Sequence, residues 1–488
     1  MQYYKFRSTI LFRNYGDFGY LTDNRNFGYR YLNDTLTLED KIVSDSAATI
    51  LSCLSKEPQL LDSIIRKVHN IYKDIELSAL TSDVCEFLDY LVKEGFVVSG
   101  HDYSECAKEN RFIDPVKYQM KGTESLKSST KKSSQNFLSD YFGDKPFPVS
   151  VHIEIASKCN ERCLHCFIPH ECKTEVMPFP TFEKIISQCA AMNILHITIS
   201  GGEPLLHPNI INMLAICREK DLSVNVLSNL TVLTDDIANE MMKNPLLSVQ
   251  TSIYAMDENI HDAITKSKGS LFKTKSAINS LLERNIPLQI SCPIMKLNYE
   301  YYKEVISWAE RYNISVLADY AIIAKYNHDG NGLELRLSLD EIEQFIRDNF
   351  TNNTQFKTDE ENELLKNRMK SPDDYICSIC GSSICIGVDG NVYPCVGWND
   401  YVLGNIDDST LIDIWENSPK AIYLRNLKRK DFKSCVSCLQ KDYCTICMVR
   451  NSNESLSGDP FEPCKYFCNI AKIKQKVMST EICPPSNK

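Results

Sequence analysis

Three cysteines stand within eight residues, Cys159, Cys163 and Cys166, directly after an apolar run at 149–156 that reads as a buried strand. Cysteine thiolates hold iron–sulfur clusters, usually four to a cluster. Three at this C-x3-C-x2-C spacing each take one iron of a cubane and leave the fourth iron open. An open iron binds and activates a small molecule instead of only passing electrons. A three-thiolate zinc site is the competing chemistry. No fourth ligand stands at a zinc-finger spacing, although His165 and His170 are close in sequence. A second set of thiols comes late in the chain: Cys377-x2-Cys380-x4-Cys385-x9-Cys395, then Cys435-x2-Cys438-x5-Cys444-x2-Cys447, then Cys464 and Cys468. Paired C-x2-C units also bind zinc well, so spacing alone leaves zinc and iron–sulfur open there.

Such thiols do chemistry only where a scaffold holds them, and 488 residues suffice for about three domains. The net charge of −10 argues against a general nucleic-acid binder. Met1-Gln-Tyr-Tyr-Lys opens no signal peptide, and no apolar run approaches the ~20 residues of a membrane span. The 21 cysteines therefore read as metal ligands in a reducing cytoplasm. Cys172, Cys189, Cys217 and Cys292 lie on or near periodic segments and read as small buried hydrophobes. Cys483, near a Pro-rich tail, reads as a bystander.

Residues 1–100 show strand-like runs at 3–12, 19–21 and 29–32, helix-like periods at 44–54, 60–72 and 82–93, and a returning strand at 96–98. This order predicts a small winged-helix-like domain. Its third helix carries Asp83, Glu86 and Asp89, the wrong sign for gripping phosphate. Residues 101–147 are a linker, with a Ser-, Lys- and Thr-rich tether at 122–135. From 148 to 350 strands at 149–156, 196–200, 223–227, 248–253, 288–292 and 315–320 alternate with helices near 181–191, 209–219, 235–242, 271–284, 300–311 and 339–350. Six such βα repeats give an α/β fold with a parallel sheet, helices outside and ligands at the carboxyl ends of the strands. Residues 351–488 hold a polar helical connector and then the late cysteines.

The early spacing, followed in order by Gly201-Gly202-Glu203-Pro204, resembles the radical S-adenosylmethionine (SAM) enzymes. The resemblance implies a partial (β/α)6 barrel. It implies that Cys159, Cys163 and Cys166 hold a [4Fe–4S] cluster whose open iron chelates SAM. One electron, from a reductant such as flavodoxin or ferredoxin, then cleaves SAM to methionine and a 5′-deoxyadenosyl radical. On the same resemblance Gly201 and Gly202 face the SAM amine and Glu203 fixes their turn. Ser228 and Asn229 are candidates for the ribose, Ser252 for the methionine end, and His165 for the adenine. The late cysteines, with Gly390 five residues before Cys395, resemble the SPASM extension of that family, which holds two auxiliary [4Fe–4S] clusters. Carried over, one takes Cys377, Cys380, Cys395 and Cys447, and the other Cys435, Cys438, Cys444 and Cys464. Cys468 is an alternative to Cys464, and Cys385 to Cys377. The x2 step from Cys444 to Cys447 departs by one residue from the usual x3.

Residues 1–100 resemble, in pattern, the recognition element of enzymes that modify ribosomally made peptides (RiPPs). There a leader peptide adds as a strand to a sheet edge and packs against the third helix. The combined expectation is a sactisynthase- or ranthipeptide-synthase-like maturase acting on a precursor peptide, with no membrane or nucleic-acid partner. A Cys thioether is the first product to expect, and carbon–carbon or carbon–oxygen crosslinks use the same parts. The rivals are a SPASM dehydrogenase of the sulfatase-maturing type and a zinc-bearing winged-helix scaffold without catalysis.

Overall fold

The structure, a computed structural model, describes residues 2–32, 37–108, 138, 142 and 146–482. Most of the expected linker, the tether at 122–135 and Cys483 lie outside the described residues. The chain opens on β1 (Tyr3–Phe6), β2 (Ile10–Asn14), β3 (Phe18–Asp23) and β4 (Lys41–Ser44). Helices α1 (Asp45–Ser52), α2 (Leu61–Ile71) and α3 (Leu77–Lys93) follow, with β5 (Gln59–Leu60) between the first two and β6 (Val97–Gly100) after the third. β1 pairs antiparallel with both β5 and β6, and β2, β3 and β4 form a second antiparallel sheet. The expected helices and closing strand are present, and Ile64, Val68, Val84, Leu88 and Leu91 form their common core with Tyr4 and Leu51.

The segment expected as a strand at 29–32 is not one. It runs along the floor of the following domain. The Phe27 ring lies 6.1 Å from that of His196, the Tyr29 N–H donates to Ser248 Oγ, the Tyr31 hydroxyl donates to the Ile286 carbonyl, and the Leu32 N–H donates to the Asn313 carbonyl. The segment forms only an isolated antiparallel bridge, Tyr31 to Ile314, and its other hydrogen bonds go to the Ser248 side chain and to loop carbonyls, so no ladder is built. Buried Arg13 on β2 pins the same contact, donating to the carbonyls of Ile194 (2.9 Å) and Asp221 (2.8 Å). The N-terminal unit is thus fixed beneath the strands' amino ends.

Six parallel strands follow: β7 (Ser150–Ala156), β8 (His196–Gly201), β9 (Ser223–Leu227), β10 (Leu247–Ser252), β11 (Leu288–Pro293) and β12 (Ser315–Asp319). They stand in chain order and leave a partial, unclosed barrel. Val151, Ile153, Ile155, Ile197, Ile199, Val224 and Val226 pack on Phe182, Ile185, Met213 and Leu214 of the outer helices. Each such buried side chain contributes about 1.5–3 kcal/mol. The alternate positions face inward and are polar. His196 Nδ1 meets Ser223 Oγ at 2.8 Å, Gln250 donates to Gln289 at 2.8 Å, and His152 meets Ser200. Between β7 and β12 the sequence reading lacks the helix Glu258–Thr265, started by the Asp257 side chain accepting from the Asn259 N–H.

Beyond the barrel, helix Thr354–Met369 is the expected connector. β13 (Ser383–Ile386) then joins the open edge of the sheet, parallel to β7, and a hairpin through Asp389-Gly390 adds β14 (Asn391–Tyr393) and β15 (Gly404–Asn405). One nine-stranded sheet therefore runs from the barrel into the Cys-rich region. No helix of the described residues is long and apolar enough to cross a membrane.

Candidate active site

Cys159, Cys163 and Cys166 sit on the loop leaving the carboxyl end of β7. The Arg162 and Leu164 N–H groups donate to the carbonyls of Thr265 and Ile264, so the end of helix Glu258–Thr265 holds the loop in place. The three thiols lie within electrostatic reach of one another. Burial raises the Cys159 thiol to about 11 and raises Cys163 further, where the Glu161 carboxylate adds to it. Thiols so placed stay protonated unless a metal displaces the proton. Lys173, 5% exposed, works the other way, lowering both, with its Nζ 3.5 Å from the Glu161 carbonyl.

Gly201 and Gly202 end β8 against the same loop. A Cβ on Gly201 would stand 1.8 Å from the Ala156 carbonyl oxygen, and one on Gly202 2.3 Å from that of Ser157. The Gly202 N–H donates to Ala156 O at 2.6 Å. Fully buried Glu203 clamps this turn to the next strand end. Its Oε1 accepts from Ser228 Oγ (2.7 Å) and the Leu205 N–H (2.9 Å), and its Oε2 from the Asn229 N–H (2.8 Å). Ser228 is thereby committed to the clamp. Asn229 is committed too: its amide donates to Asn160, and its Oδ1 accepts from Thr231. Both stand where the sequence put them, at a strand end beside the Gly-Gly turn, with the side-chain groups already occupied.

His165 is half-buried in the thiol loop, with its Nδ1 fully buried and unpartnered. Burial lowers it to about 4, so it is neutral. Its ring lies 5.1 Å from that of Tyr254, which follows β10 and hydrogen-bonds Ser252. Tyr254 and Lys173 escaped the sequence reading. The one signal for them was position, two residues past a strand end and seven past the third cysteine. The residues present fit an iron–sulfur cluster with a bound SAM: three grouped thiols, a backbone cradle in which no Cβ fits, and an orphaned imidazole nitrogen beside both.

The late cysteines form two more groups. Cys377, Cys380, Cys395 and Cys447 act on one another electrostatically. Cys447 stands near Cys377 and Cys395 despite the shortened step before it. Cys385, buried on β13, faces the same region and feels Cys395. Cys435, Cys438, Cys444 and Cys468 form the other group. Cys464 is not in it. Its thiol donates to Glu454 Oε2 at 2.8 Å, and Glu454 in turn pairs with Arg336. Among the described residues no three His, Cys, Asp or Glu side chains close on a single-ion site, and no described cysteine forms a disulfide.

Comparison with known proteins agrees with this layout. A model of the radical SAM superfamily matches residues 153–309, and a model of an iron–sulfur cluster-binding (SPASM) domain matches residues 377–439. The antilisterial bacteriocin subtilosin biosynthesis protein AlbA of Bacillus subtilis is 24% identical over 349 residues, 68% of this chain and 74% of that protein. The PqqA peptide cyclase of Bradyrhizobium diazoefficiens is 23% identical over 207 residues, 42% of this chain and 53% of that protein. The crystal structure of Streptococcus suis SuiB bound to precursor peptide SuiA shares the fold at a TM-score of 0.58 and 18% identity, over 94% of this chain and 99% of that one.

Proposed function

From the premise that this chain is an enzyme carrying a radical SAM domain followed by a SPASM domain, we propose that it installs crosslinks in a ribosomally made precursor peptide. SAM and iron–sulfur clusters are its cofactors. Bound together, they supply the means to remove a hydrogen atom from an unactivated carbon. The chain's residues do the rest. Cys159, Cys163 and Cys166 hold the SAM-binding cluster, and Lys173 offsets its thiolate charge. Gly201 and Gly202 offer backbone to the amino acid end of SAM, with Glu203 and Ser228 keeping that turn in place. Ser252 and Asn229 line the approach, and the His165–Tyr254 pair closes it. Cys377, Cys380, Cys395 and Cys447 hold one auxiliary cluster, and Cys435, Cys438, Cys444 and Cys468 the other. A one-electron reductant in a reducing cytoplasm completes the system. The protein's part in such chemistry is positioning and tuning.

One observation carries the peptide reading beyond the barrel: β4 is a free sheet edge lying beside α3. Lys41 of β4 donates to the Tyr90 hydroxyl and Glu94 carboxylate (2.8 Å) at the end of α3. β2, the opposite edge, is turned to the barrel through Arg13. An extended leader pairing with β4 gains backbone hydrogen bonds without much sequence demand. Because this unit sits below the barrel floor, the leader's end and the reacting residue must be at least one strand height apart. That is roughly 20 Å, or about six extended residues. A thioether from a substrate cysteine is the product proposed first. A sulfatase-maturing type of dehydrogenase has no need of the β4 edge.

Successive N–H groups of a strand point to opposite sides, so only one of Ile42→Pro and Val43→Pro removes an N–H used by β3. The other removes only an outward donor. With a Cys-bearing precursor peptide, sought among short reading frames beside the gene, the wild type is expected to lower the peptide mass by two hydrogens per crosslink. One of the two proline variants is expected to keep its melting temperature and lose at least about tenfold of that product. No mass change with the wild type removes the maturase reading, and full product from the folded variant removes leader docking at β4.

Cys464 and Cys468 offer a second check. Cys468→Ala is expected to lose about four of roughly twelve irons per chain after anaerobic reconstitution, and Cys464→Ala to keep them all. Losing the thiol–carboxylate bond costs Cys464→Ala only about 1 kcal/mol. The reverse iron count returns Cys464 to the ligand set.

A further inference from the structure

Closing a bond between two peptide residues removes two hydrogens. One leaves as an atom, and the other as a proton and an electron. The reading of this chain as a peptide crosslinking enzyme, on which the following rests, gives the atom to the SAM-derived radical and the electron to an auxiliary cluster. The proton needs an acceptor.

A cavity of about 370 Å³ opens between the end of β7 and the β13–β14 hairpin. One wall, Ala156 and Ser157, is the segment whose carbonyls crowd Gly201 and Gly202. The facing wall, Gly387 to Tyr393, leads within two residues to Cys395. The cavity thus adjoins both the strand end that leads into the first thiol loop and the hairpin that leads to Cys395. Glu154 enters it from the inner face of β7. It is 8% exposed, and among the described residues nothing hydrogen-bonds its carboxylate. A buried ionised carboxylate left without a partner is costly.

Of the other acidic groups nearby, Glu175 is exposed to solvent, and the rest are engaged elsewhere. Asp389 accepts from the Asn391 backbone and amide and from the Tyr393 hydroxyl. Glu203 accepts three hydrogen bonds, and Glu161 accepts from the Cys163 thiol. No Lys or Arg lines the cavity. The titratable groups facing Glu154 are His152 on its own strand, Cys385 on β13, Asp389 and Tyr393 on the hairpin, Tyr326 after β12, and Cys172 and Glu175 on the cysteine loop. His152 is neutral, lowered to about 4 by burial. Burial first, and Asp389 second, raise Glu154 to about 7. A base near the working pH transfers protons most effectively.

We propose that Glu154 is the catalytic base that takes the proton released when the peptide crosslink closes in this cavity. For a thioether, the substrate C–H gives its hydrogen atom to the 5′-deoxyadenosyl radical formed by one-electron reduction of SAM. The cysteine S–H gives its proton to Glu154, the sulfur bonds to the carbon radical, and the surplus electron passes to an auxiliary iron–sulfur cluster and on to an external one-electron carrier. For a carbon–carbon or carbon–oxygen bond, the proton of the second partner takes the same route.

The test compares reconstituted wild type, Glu154→Gln and Glu154→Asp with a Cys-bearing precursor peptide sought among short reading frames beside the gene. Glu154→Gln is expected to bind iron and sulfide in full and to cut crosslink formation at least ~100-fold. Deoxyadenosine formed per crosslink should rise at least tenfold, a decoupling that a misfolded site would not give. The wild-type rate should rise with pH through about 7, where the base loses its proton, and Glu154→Asp should restore part of the rate with that limb at lower pH. Equal crosslinking and equal coupling in Glu154→Gln overturn the assignment. Infrared difference spectra of wild type minus Glu154→Gln, taken without peptide, give an independent reading. A protonated-carboxyl band titrating near 7 supports the base, and one titrating below about 5, the ordinary Glu range, overturns it even if the peptide is never modified. A wild type that leaves the peptide mass unchanged while the band titrates near 7 removes the crosslinking reading and not the proton acceptor.

Discussion

Alanine at Cys159, Cys163 and Cys166 together is expected to abolish SAM cleavage and to remove one third of the iron. The three thiols occupy one loop and share one environment, between the Glu161 carboxylate and buried Lys173. Among the described residues no three His, Cys, Asp or Glu side chains close on a single-ion site that could take over, and Cys172 turns instead to Tyr326. The eight late thiols lie in separate groups, so roughly eight of twelve irons should remain. The loop is tied down by backbone bonds to Ile264 and Thr265, so the fold should survive. Deoxyadenosine below detection, with iron reduced by a third and no spectral response to added SAM, is the expected set. A SAM-induced spectral change that persists in the triple variant would sink the assignment of this loop as the cofactor site.

Gly201→Ala is expected to be nearly as damaging, through geometry alone. Gly201 has φ of 137°, a region L side chains rarely adopt, and its Cβ would stand 1.8 Å from the Ala156 carbonyl oxygen. That atom is backbone, and it already accepts the Gly202 N–H. Relief requires the ends of β7 and β8 to part, which also pulls Glu203 off Ser228 and Asn229. Strain and displacement together should cost at least ~3 kcal/mol in chemical denaturation and abolish SAM binding. Gly269→Ala is the control. Gly269 also has positive φ, 74°, but open space surrounds it, so about 1 kcal/mol and unchanged SAM binding are expected. Equal losses at the two glycines would show that conformation and not crowding sets the requirement.

The barrel was legible because its signal is local. β9 was read to the residue, and the other five strands came within one residue at most ends, since apolar positions facing the outer helices alternate with polar inward ones such as His152, Glu154 and Asn225. β4 was not legible. Lys41–Ser44 is four residues long, only partly buried, and runs straight into α1, so its pattern merged with the helix. Cys464 and Cys468 stand four apart on or beside one helix, on nearly the same face. Spacing cannot choose between them. The Arg336–Glu454 pair, from elements over a hundred residues apart, draws Cys464 away and leaves Cys468 to the thiol group.

The sequence by itself determined the three-thiol loop, the Gly-Gly turn after the second strand, the order of βα repeats and the spacing of the late thiols. Each depends on covalent spacing over a few residues or on the period of one element. Only the tertiary structure decided that Lys173 and Tyr254 join the thiols, that 27–32 floors the barrel, and that Glu154 faces the Asp389 hairpin across a cavity with no partner. Those placements come from packing between segments far apart in the chain, where burial and the pairing of polar groups, and not local pattern, select which neighbours meet.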